Sequence, residues 1–297
     1  MYPRSFHYHR AKSLKEAATM LSQLGEEAKL LAGGQSLIPL MKLRFANPAH
    51  LVDLNFVPDA AYVKDEAGKL RLGALTRHAE IEHSTIASQA SILHDCAAGI
   101  ADVQIRNRGT IGGSLAEADP SGDWATVLLT QDTEIQCLGP AGERKIPLSE
   151  FIRDAYTTAL EHDELITEVV IQKPGTGSGG AYVAFKRSAP VYPTASAAVQ
   201  LQVDGDICRQ AAIVLGCVGL TPVRVTEGEA ALRGHKVDGK SITAAMEAAH
   251  AAVDPQTDMR GSAEYKRALV SALVKRATEI ALRRAKGERV EVSHIYA

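Results

Sequence analysis

Residues 175–180 read Gly-Thr-Gly-Ser-Gly-Gly, and no other segment constrains the fold of this chain as strongly. Four glycines in six positions carry too much backbone freedom for the interior of a helix or strand, so the segment reads as a break between domains. It divides 297 residues, more than an ordinary single domain holds, into two unequal parts. An apolar fraction of 45% supplies each part with material for a core.

Ahead of the break, helical and strand patterns alternate. Ser13-Leu-Lys-Glu16 has the form of a capping box, and Leu14, Ala17, Ala18, Leu21 and Leu24 follow at helical spacing until Gly25 stops the run. Residues 28–32 have strand length, Gly33-Gly34-Gln35 breaks them, and Ser36 is placed to cap a second helix that tolerates Pro39 in its first turn. Residues 50–54 read as a buried strand and 61–73 as a hairpin turning at Ala67-Gly68. Thr76 starts a helix over 77–82, and helical pattern returns over 86–101. Residues 106–123 are dense in glycine and show neither period. Residues 124–129 are helical, and 134–138 and 165–171 are strand-like.

Beyond the break, residues 181–186, 197–203 and 207–218 read as three strands. The last two are joined by Asp204-Gly205-Asp206, which implies an antiparallel sheet. Three helices follow over 225–233, 242–253 and 263–286, with Tyr265, Leu269, Leu273 and Ile280 as a core stripe. The reading is α+β, divided as 1–57, 58–175 and 176–297.

Charge and hydropathy exclude several function classes. Lys plus Arg number 33 against 35 Asp plus Glu, a formal charge of −2, so no basic surplus is left to neutralise a nucleic-acid backbone. The longest uncharged apolar run, 211–220, is half of the roughly 20 residues that a membrane helix needs. The opening MYPRSFHYHR lacks the apolar stretch of a signal peptide, and a cytoplasmic protein is expected. Cys96, Cys137, Cys208 and Cys217 form no CxxC pair, which argues against a zinc or iron–sulfur site and for buried thiols. The ten histidines contain no HExxH; His7 and His9 share a strand face and read as surface or core residues. No metal site and no catalytic residue is assigned.

Two segments can carry chemistry, Ala32-Gly-Gly-Gln-Ser36 and Thr110-Ile-Gly-Gly-Ser114. Each sets small residues and free backbone N–H groups beside a helix start, the makings of an anion nest that a pyrophosphate can approach closely. Neither ends in the Gly-Lys-Ser/Thr of a P-loop or fits GxGxxG, so a different phosphate cradle is expected.

These segments sit within LLAGGQSLIPLMKLR (30–44), GALTRHAEI (73–81) and QIRNRGTIGGSLAEADPSGD (104–123). In that order and spacing the chain resembles the FAD-binding medium subunit of molybdenum hydroxylases, the group that contains aerobic carbon monoxide dehydrogenase and xanthine dehydrogenase. The resemblance implies an FAD-binding domain of two α/β subdomains, of the vanillyl-alcohol oxidase or PCMH type, followed by a C-terminal domain of antiparallel sheet and helices. It implies that Ala32, Gly33, Gly34, Gln35, Ser36, Leu37, Thr110, Gly113 and Ser114 hold FAD, chiefly its pyrophosphate. Asp123 matches an acidic position on the adenosine side, although an Asp in the first turn of a helix is also favoured by the helix dipole.

Leu165 and Lys186 match positions near the isoalloxazine ring, by apolar and polar contact respectively. Tyr192 lies where related subunits often have an aromatic near the flavin, but Pro190-Val191 replaces the acidic residue expected before it. Arg106 and Arg108 either neutralise phosphate or pair with nearby acids. The function implied is electron relay. FAD here receives electrons from iron–sulfur clusters on a small partner subunit, fed by a molybdenum cofactor on a large one, and passes them to an external acceptor. The assembly implied is a dimer of such heterotrimers. The alternative is a self-sufficient flavin oxidoreductase of the vanillyl-alcohol oxidase type, which would require a substrate cap.

Overall fold

The computed structural model describes residues 2–292 and the backbone of 295–296. Its first unit is a three-stranded parallel sheet. Strand β1 (His7–Arg10), helix α1 (Leu14–Leu24), β2 (Ala28–Leu31), α2 (Leu37–Leu43) and β3 (His50–Asp53) follow in sequence, and the strands order as β1-β3-β2. The Ser13 hydroxyl accepts the Glu16 N–H at 3.1 Å, while the Glu16 carboxylate accepts from the Lys12 N–H at 2.6 Å. The capping box is thus displaced by one residue. Ala17 and Ala18 bury against Val52, Leu54 and Leu75.

The second unit is a five-stranded antiparallel sheet. Strands β4 (Val63–Glu66) and β5 (Lys69–Gly73) form the expected hairpin; Ala67 (φ 51°) and Gly68 (φ 76°) are both left-handed, which matches the twist of the strands they join. Helices α3 (His78–Glu82), α4 (Ser91–Gly99), α5 (Val103–Arg106), α6 (Ile111–Glu117) and α7 (Asp123–Leu128) come next. Strands β6 (Thr133–Gly139) and β7 (Gly142–Pro147), helix α8 (Leu148–Phe151), a small hairpin β8 (Ile152–Asp154) and β9 (Thr157–Thr158), and β10 (Leu165–Gln172) complete it. The sheet order is β4-β5-β10-β6-β7. Helix α6 lies inside the stretch that shows no period in sequence. Seven residues with two glycines offer too few apolar positions to reveal one, and a cap from Thr110 to the Gly113 N–H at 3.1 Å starts the helix.

The third unit begins inside the glycine segment, and its first strand starts three residues ahead of the expected 181–186. It comprises β11 (Ser178–Lys186), β12 (Ala195–Asp204), β13 (Ile207–Gly216), β14 (Val223–Arg224), α9 (Thr226–Leu232), α10 (Gly239–Ala252), α11 (Ala263–Ala285) and β15 (Ile295–Tyr296). The strands order as β14-β13-β12-β11-β15, with β15 parallel to β11 and the other pairings antiparallel. Gly179 and Gly180 therefore sit within a strand. A Cβ at 179 would collide with the Ala281 carbonyl of α11, and one at 180 with the Gln200 side chain, so these glycines let helix and strand backbones approach. Tyr265 is 44% exposed and meets Phe185 edge-on at 6.1 Å, so it stands outside the buried stripe.

Strand β11 faces two cores. Ala181 and Val183 pack with β12, β13, α10 and α11, whereas Tyr182 and Ala184 join the core under the second sheet with Ile92, Cys96 and Trp124. A buried ion pair pins the junction: Arg284 of α11 holds Asp95 of α4 at 2.6 and 2.9 Å and also donates to the Gly180 carbonyl at 2.7 Å. In the same core His78 accepts from the Trp124 indole N–H at 3.1 Å. Burial, with Arg77 and Arg106 nearby, pulls the His78 imidazole down to about 3.

Two outcomes follow from this packing. Gly179→Ala should destabilise by about 3 kcal/mol through overpacking against α11, whereas Gly239→Ala, at the open first position of α10, should change little; urea melts of both variants are the check. Because the folded pKa of His78 lies below its unfolded value of 6.5, the unfolded state takes the proton first. Stability is then complete above about pH 6.5 and falls, as pH drops toward 3, by up to about 1.4 kcal/mol per pH unit from this residue. His78→Asn keeps an acceptor for Trp124 and should flatten that part of the curve.

Candidate functional site

The two glycine segments, 78 positions apart in sequence by their first residues (32 and 110), are brought together by backbone contact. Gly33 faces the backbone of the other segment so closely that a Cβ would stand 2.5 Å from the Arg108 carbonyl oxygen and 2.7 Å from the Gly109 Cα. Gly112 meets Ala74 in the same way, at 2.7 Å. The missing side chain at 33 thus serves the packing of one half of the site on the other, and that at 112 seats the second segment on the residue that follows β5.

A polar clamp holds this contact. Asn55, just past β3, donates to the Ala32 carbonyl at 2.9 Å and accepts from Arg77 at 2.6 Å, and Arg77 also donates to the Arg108 carbonyl. Asp53 orients Asn55 by accepting from its backbone and side-chain amides at 2.8 and 2.6 Å, and takes the Tyr8 hydroxyl at 2.5 Å. Burial pushes the Asp53 carboxyl up, but the bonds from Tyr8 and Asn55 outweigh it and hold the group below its usual range. Burial lowers the Arg77 pKa, as does Arg108, against the pull of Glu80 and Asp53. Sequence reasoning did not single out Asn55 or Arg77; the D-x-N spacing at a strand end, which favours an Asx turn, is the signal that could have found Asn55.

The donors in the two segments differ. The N–H groups of Gly33, Gly34, Gln35 and Ser36 have no protein acceptor among the described residues. Gly34 is left-handed (φ 73°), which turns these amides in succession, as a nest requires. In the second segment the N–H groups are engaged: Ile111 to the Thr76 carbonyl, Gly112 to the Ala74 carbonyl, Gly113 to the Thr110 hydroxyl and Ser114 to the Thr110 carbonyl. The expectation of free amides therefore holds for the first segment, while the second offers hydroxyls and space. Gly113 is exposed, and a Cβ there would meet only Thr110 Oγ1 at 2.8 Å and Ala32 Cβ at 4.0 Å.

Both segments open onto one cavity of about 1160 Å³ that also reaches Leu37, Leu165, Asp123, Lys186 and Tyr192. Its volume lies above the range usual for sites that hold a single drug-sized ligand and suits an extended dinucleotide. All three units contribute walls. The donor set fits FAD: unpaired amides and hydroxyls gather at one place, and apolar lining from Leu30, Leu40 and Leu165 continues from it.

Asp123 and Lys186, assigned by the resemblance to the adenosine and ring ends, both line the cavity and are close enough to interact electrostatically. Asp123 is the first residue of α7, buried, and accepts from the Tyr182 hydroxyl at 2.5 Å. Burial raises its pKa against the opposing effects of Lys186 and Tyr182. The Lys186 ammonium, 1% exposed, donates to the Gly99 carbonyl. Tyr192 stacks under the Arg260 guanidinium at 5.6 Å. Arg106 is ion-paired with Glu82 at 2.8 Å, and Arg108 enters the site through its carbonyl. His7 and His9 meet His50 at the surface of the first sheet, His9 by a 3.0 Å ring nitrogen contact. Among the described residues no group of His, Cys, Asp or Glu side chains is arranged to hold a metal, and no helix is long and apolar enough to cross a membrane.

Residues 4–174 match the family described as "FAD binding domain in molybdopterin dehydrogenase", and 180–281 match "CO dehydrogenase flavoprotein C-terminal domain". The carbon monoxide dehydrogenase medium chain of Afipia carboxidovorans is 40% identical over 287 residues, covering 96% of this chain and 100% of that one. The 6-hydroxypseudooxynicotine dehydrogenase complex subunit alpha of Paenarthrobacter nicotinovorans is 39% identical over 297 residues, covering 99% and 100%. Among solved structures, a chain of carbon monoxide dehydrogenase from Hydrogenophaga pseudoflava superimposes with a TM-score of 0.93 at 39% identity, covering 96% of this chain and 99% of that one. Matches of this extent, on a cavity whose donors suit a dinucleotide pyrophosphate, make the chain a member of the family of FAD-binding medium subunits of molybdenum hydroxylases, the flavin-carrying components of multi-subunit oxidoreductases.

Proposed function

We propose that FAD lies in the three-walled cavity with its pyrophosphate against the 32–36 amides, and that this chain relays electrons from partner iron–sulfur clusters to an external acceptor. The observation that carries the reading is the row of unpaired N–H groups at Gly33, Gly34, Gln35 and Ser36, facing the Thr110–Ser114 segment across the Gly33 contact. FAD, when bound, supplies a carrier able to take up and release electrons. Ala32 and Leu37 bound the cradle, and Thr110, Gly113 and Ser114 form its other side. Asp123 accepts from a donor group of the cofactor, Leu165 gives an apolar surface, and Lys186 supports the charge of Asp123.

We place the division of the chain at 1–57, 58–175 and 176–297; the change of sheet near these positions supports it. The relatives' names, "medium chain" and "complex subunit alpha", support assembly with a small iron–sulfur subunit and a large molybdenum subunit, and we extend this to a dimer of heterotrimers. All four cysteines are free thiols, which suits a reducing cytoplasm.

Binding of FAD and FMN to the purified chain tests the reading. FMN lacks the pyrophosphate bridge and should bind far more weakly. Gly113→Ala should weaken FAD binding with little change in the melting of the FAD-free chain, whereas Gly33→Ala should lower both, because its Cβ also drives the two segments apart. Equal affinity for FAD and FMN overturns the cradle assignment.

Asp123→Ala should cost about 1.5 to 3 kcal/mol of FAD affinity, the range for a hydrogen bond to a charged group. It also removes the carboxylate that accepts from the buried Tyr182 hydroxyl, so the FAD-free protein should melt earlier as well. Asp123→Asn keeps an acceptor for Tyr182, and its FAD affinity, measured by flavin fluorescence, separates cofactor contact from the structural role.

A further inference from the structure

Strand β11 sends two polar side chains toward the cofactor cavity. Tyr182 and Lys186 project from the face of the strand that packs on the second unit, and both are fully buried. Tyr182 spans from the third unit to α7 to give its hydroxyl proton to Asp123 Oδ1 at 2.5 Å. A tyrosine at the centre of a core could satisfy its hydroxyl on a backbone carbonyl. Here it is aimed at one oxygen of a carboxylate that borders the cavity.

We propose that Tyr182 is a positioning residue for the cofactor, fixing the Asp123 carboxylate so that its second oxygen meets a donor group of bound FAD. The proposal rests on the reading of Asp123 as a cofactor contact. It assigns to the C-terminal sheet a part in cofactor recognition that the glycine motifs, all in the first two units, do not disclose.

The surroundings determine how the pair responds to pH. Besides Tyr182, the groups that face Asp123 are Lys186 from β11, Asp119 from the loop before α7, Cys96 from α4, Cys217 from the end of β13, and Tyr192 from the loop after β11. Burial pushes the Cys96 and Cys217 thiols and the Tyr182 phenol up, so all three stay neutral through the physiological range. Burial and Asp119 push the Asp123 carboxyl up, while Lys186 and the Tyr182 hydroxyl hold it down. Removing the hydroxyl leaves the upward effects less opposed, and the carboxylate then protonates at a higher pH.

The experiment compares FAD dissociation constants of the full chain, by flavin fluorescence, between about pH 6 and about pH 8.5 for wild type and Tyr182→Phe. Tyr182→Phe is expected to weaken binding about tenfold at the acidic end and less at the alkaline end, the signature of a carboxylate lost to protonation. A purely packing role would lower affinity equally at every pH. In an Asp123→Asn background the same Phe substitution should have no pH-dependent effect. Should Tyr182→Phe fail to fold, 3-fluorotyrosine at 182, a stronger donor, should move the profile in the opposite direction.

An unchanged or uniformly shifted profile, with Asp123→Ala still impaired in FAD binding, overturns the positioning role and leaves the Asp123 contact standing. Unimpaired binding in Asp123→Ala overturns the contact itself, and the positioning role with it.

Discussion

The site depends on a contact between two backbones. Gly33 and the Arg108 carbonyl approach to a distance that no side chain at 33 permits, and Asn55 and Arg77 fix the approach by bonding one carbonyl on each side. Arg77 is the costliest member of the clamp, since a half-buried guanidinium forgoes hydration. Two oxygen acceptors and the field of Asp53 offset that cost. The arrangement leaves a positive charge behind the cradle, with both of its terminal nitrogens donating to protein oxygens. It can favour an anion through its field without touching it.

The cavity needs its third wall as much as its cradle. Lys186, Tyr192 and, through Tyr182, the orientation of Asp123 all come from beyond residue 178. What keeps that wall in register is the Asp95–Arg284 pair, in which a bidentate guanidinium is nearly sealed from solvent. Such a pair adds little net stability over an apolar alternative, yet losing one partner strands a buried charge at a cost of about 3 to 5 kcal/mol. It therefore specifies one way of docking the C-terminal sheet on α4. Residues 180–281 match a CO dehydrogenase flavoprotein C-terminal domain, not the substrate cap that the self-sufficient oxidase alternative requires.

Much of this was legible in the sequence wherever periodicity and burial coincide. Helix α11 and strands β12 and β13 show their apolar stripes openly, and the Ala67-Gly68 and Asp204-Gly205-Asp206 turns carry their own chemistry. Short or crowded elements were not legible. Strand β7 exposes five of its six residues, so no alternation reveals it, and α6 is all but hidden by its glycines. In excluding a strand, the 175–180 segment misleads for a related reason. Its glycines mark flexibility in a sequence read locally, but in the fold two of them admit the backbone of α11 and the side chain of Gln200, partners separated from them by many residues.

The same physics explains why the cradle was the most recognisable part of the site and the clamp the least. The cradle, as proposed, offers phosphate mostly backbone donors, which no side-chain type encodes. Its requirement on sequence is negative, small residues and glycines where a Cβ would intrude, and that leaves a compact motif. Arg106, which looked able to neutralise phosphate, is instead committed to Glu82 and the Ile100 carbonyl. The clamp works through side chains whose identities matter but whose partners are distant in sequence: Tyr8 with Asp53, and Asn55 with Arg77. A motif records what is local, so a cradle built from amides announces itself, while the residues that hold its halves together become visible only when the chain is folded.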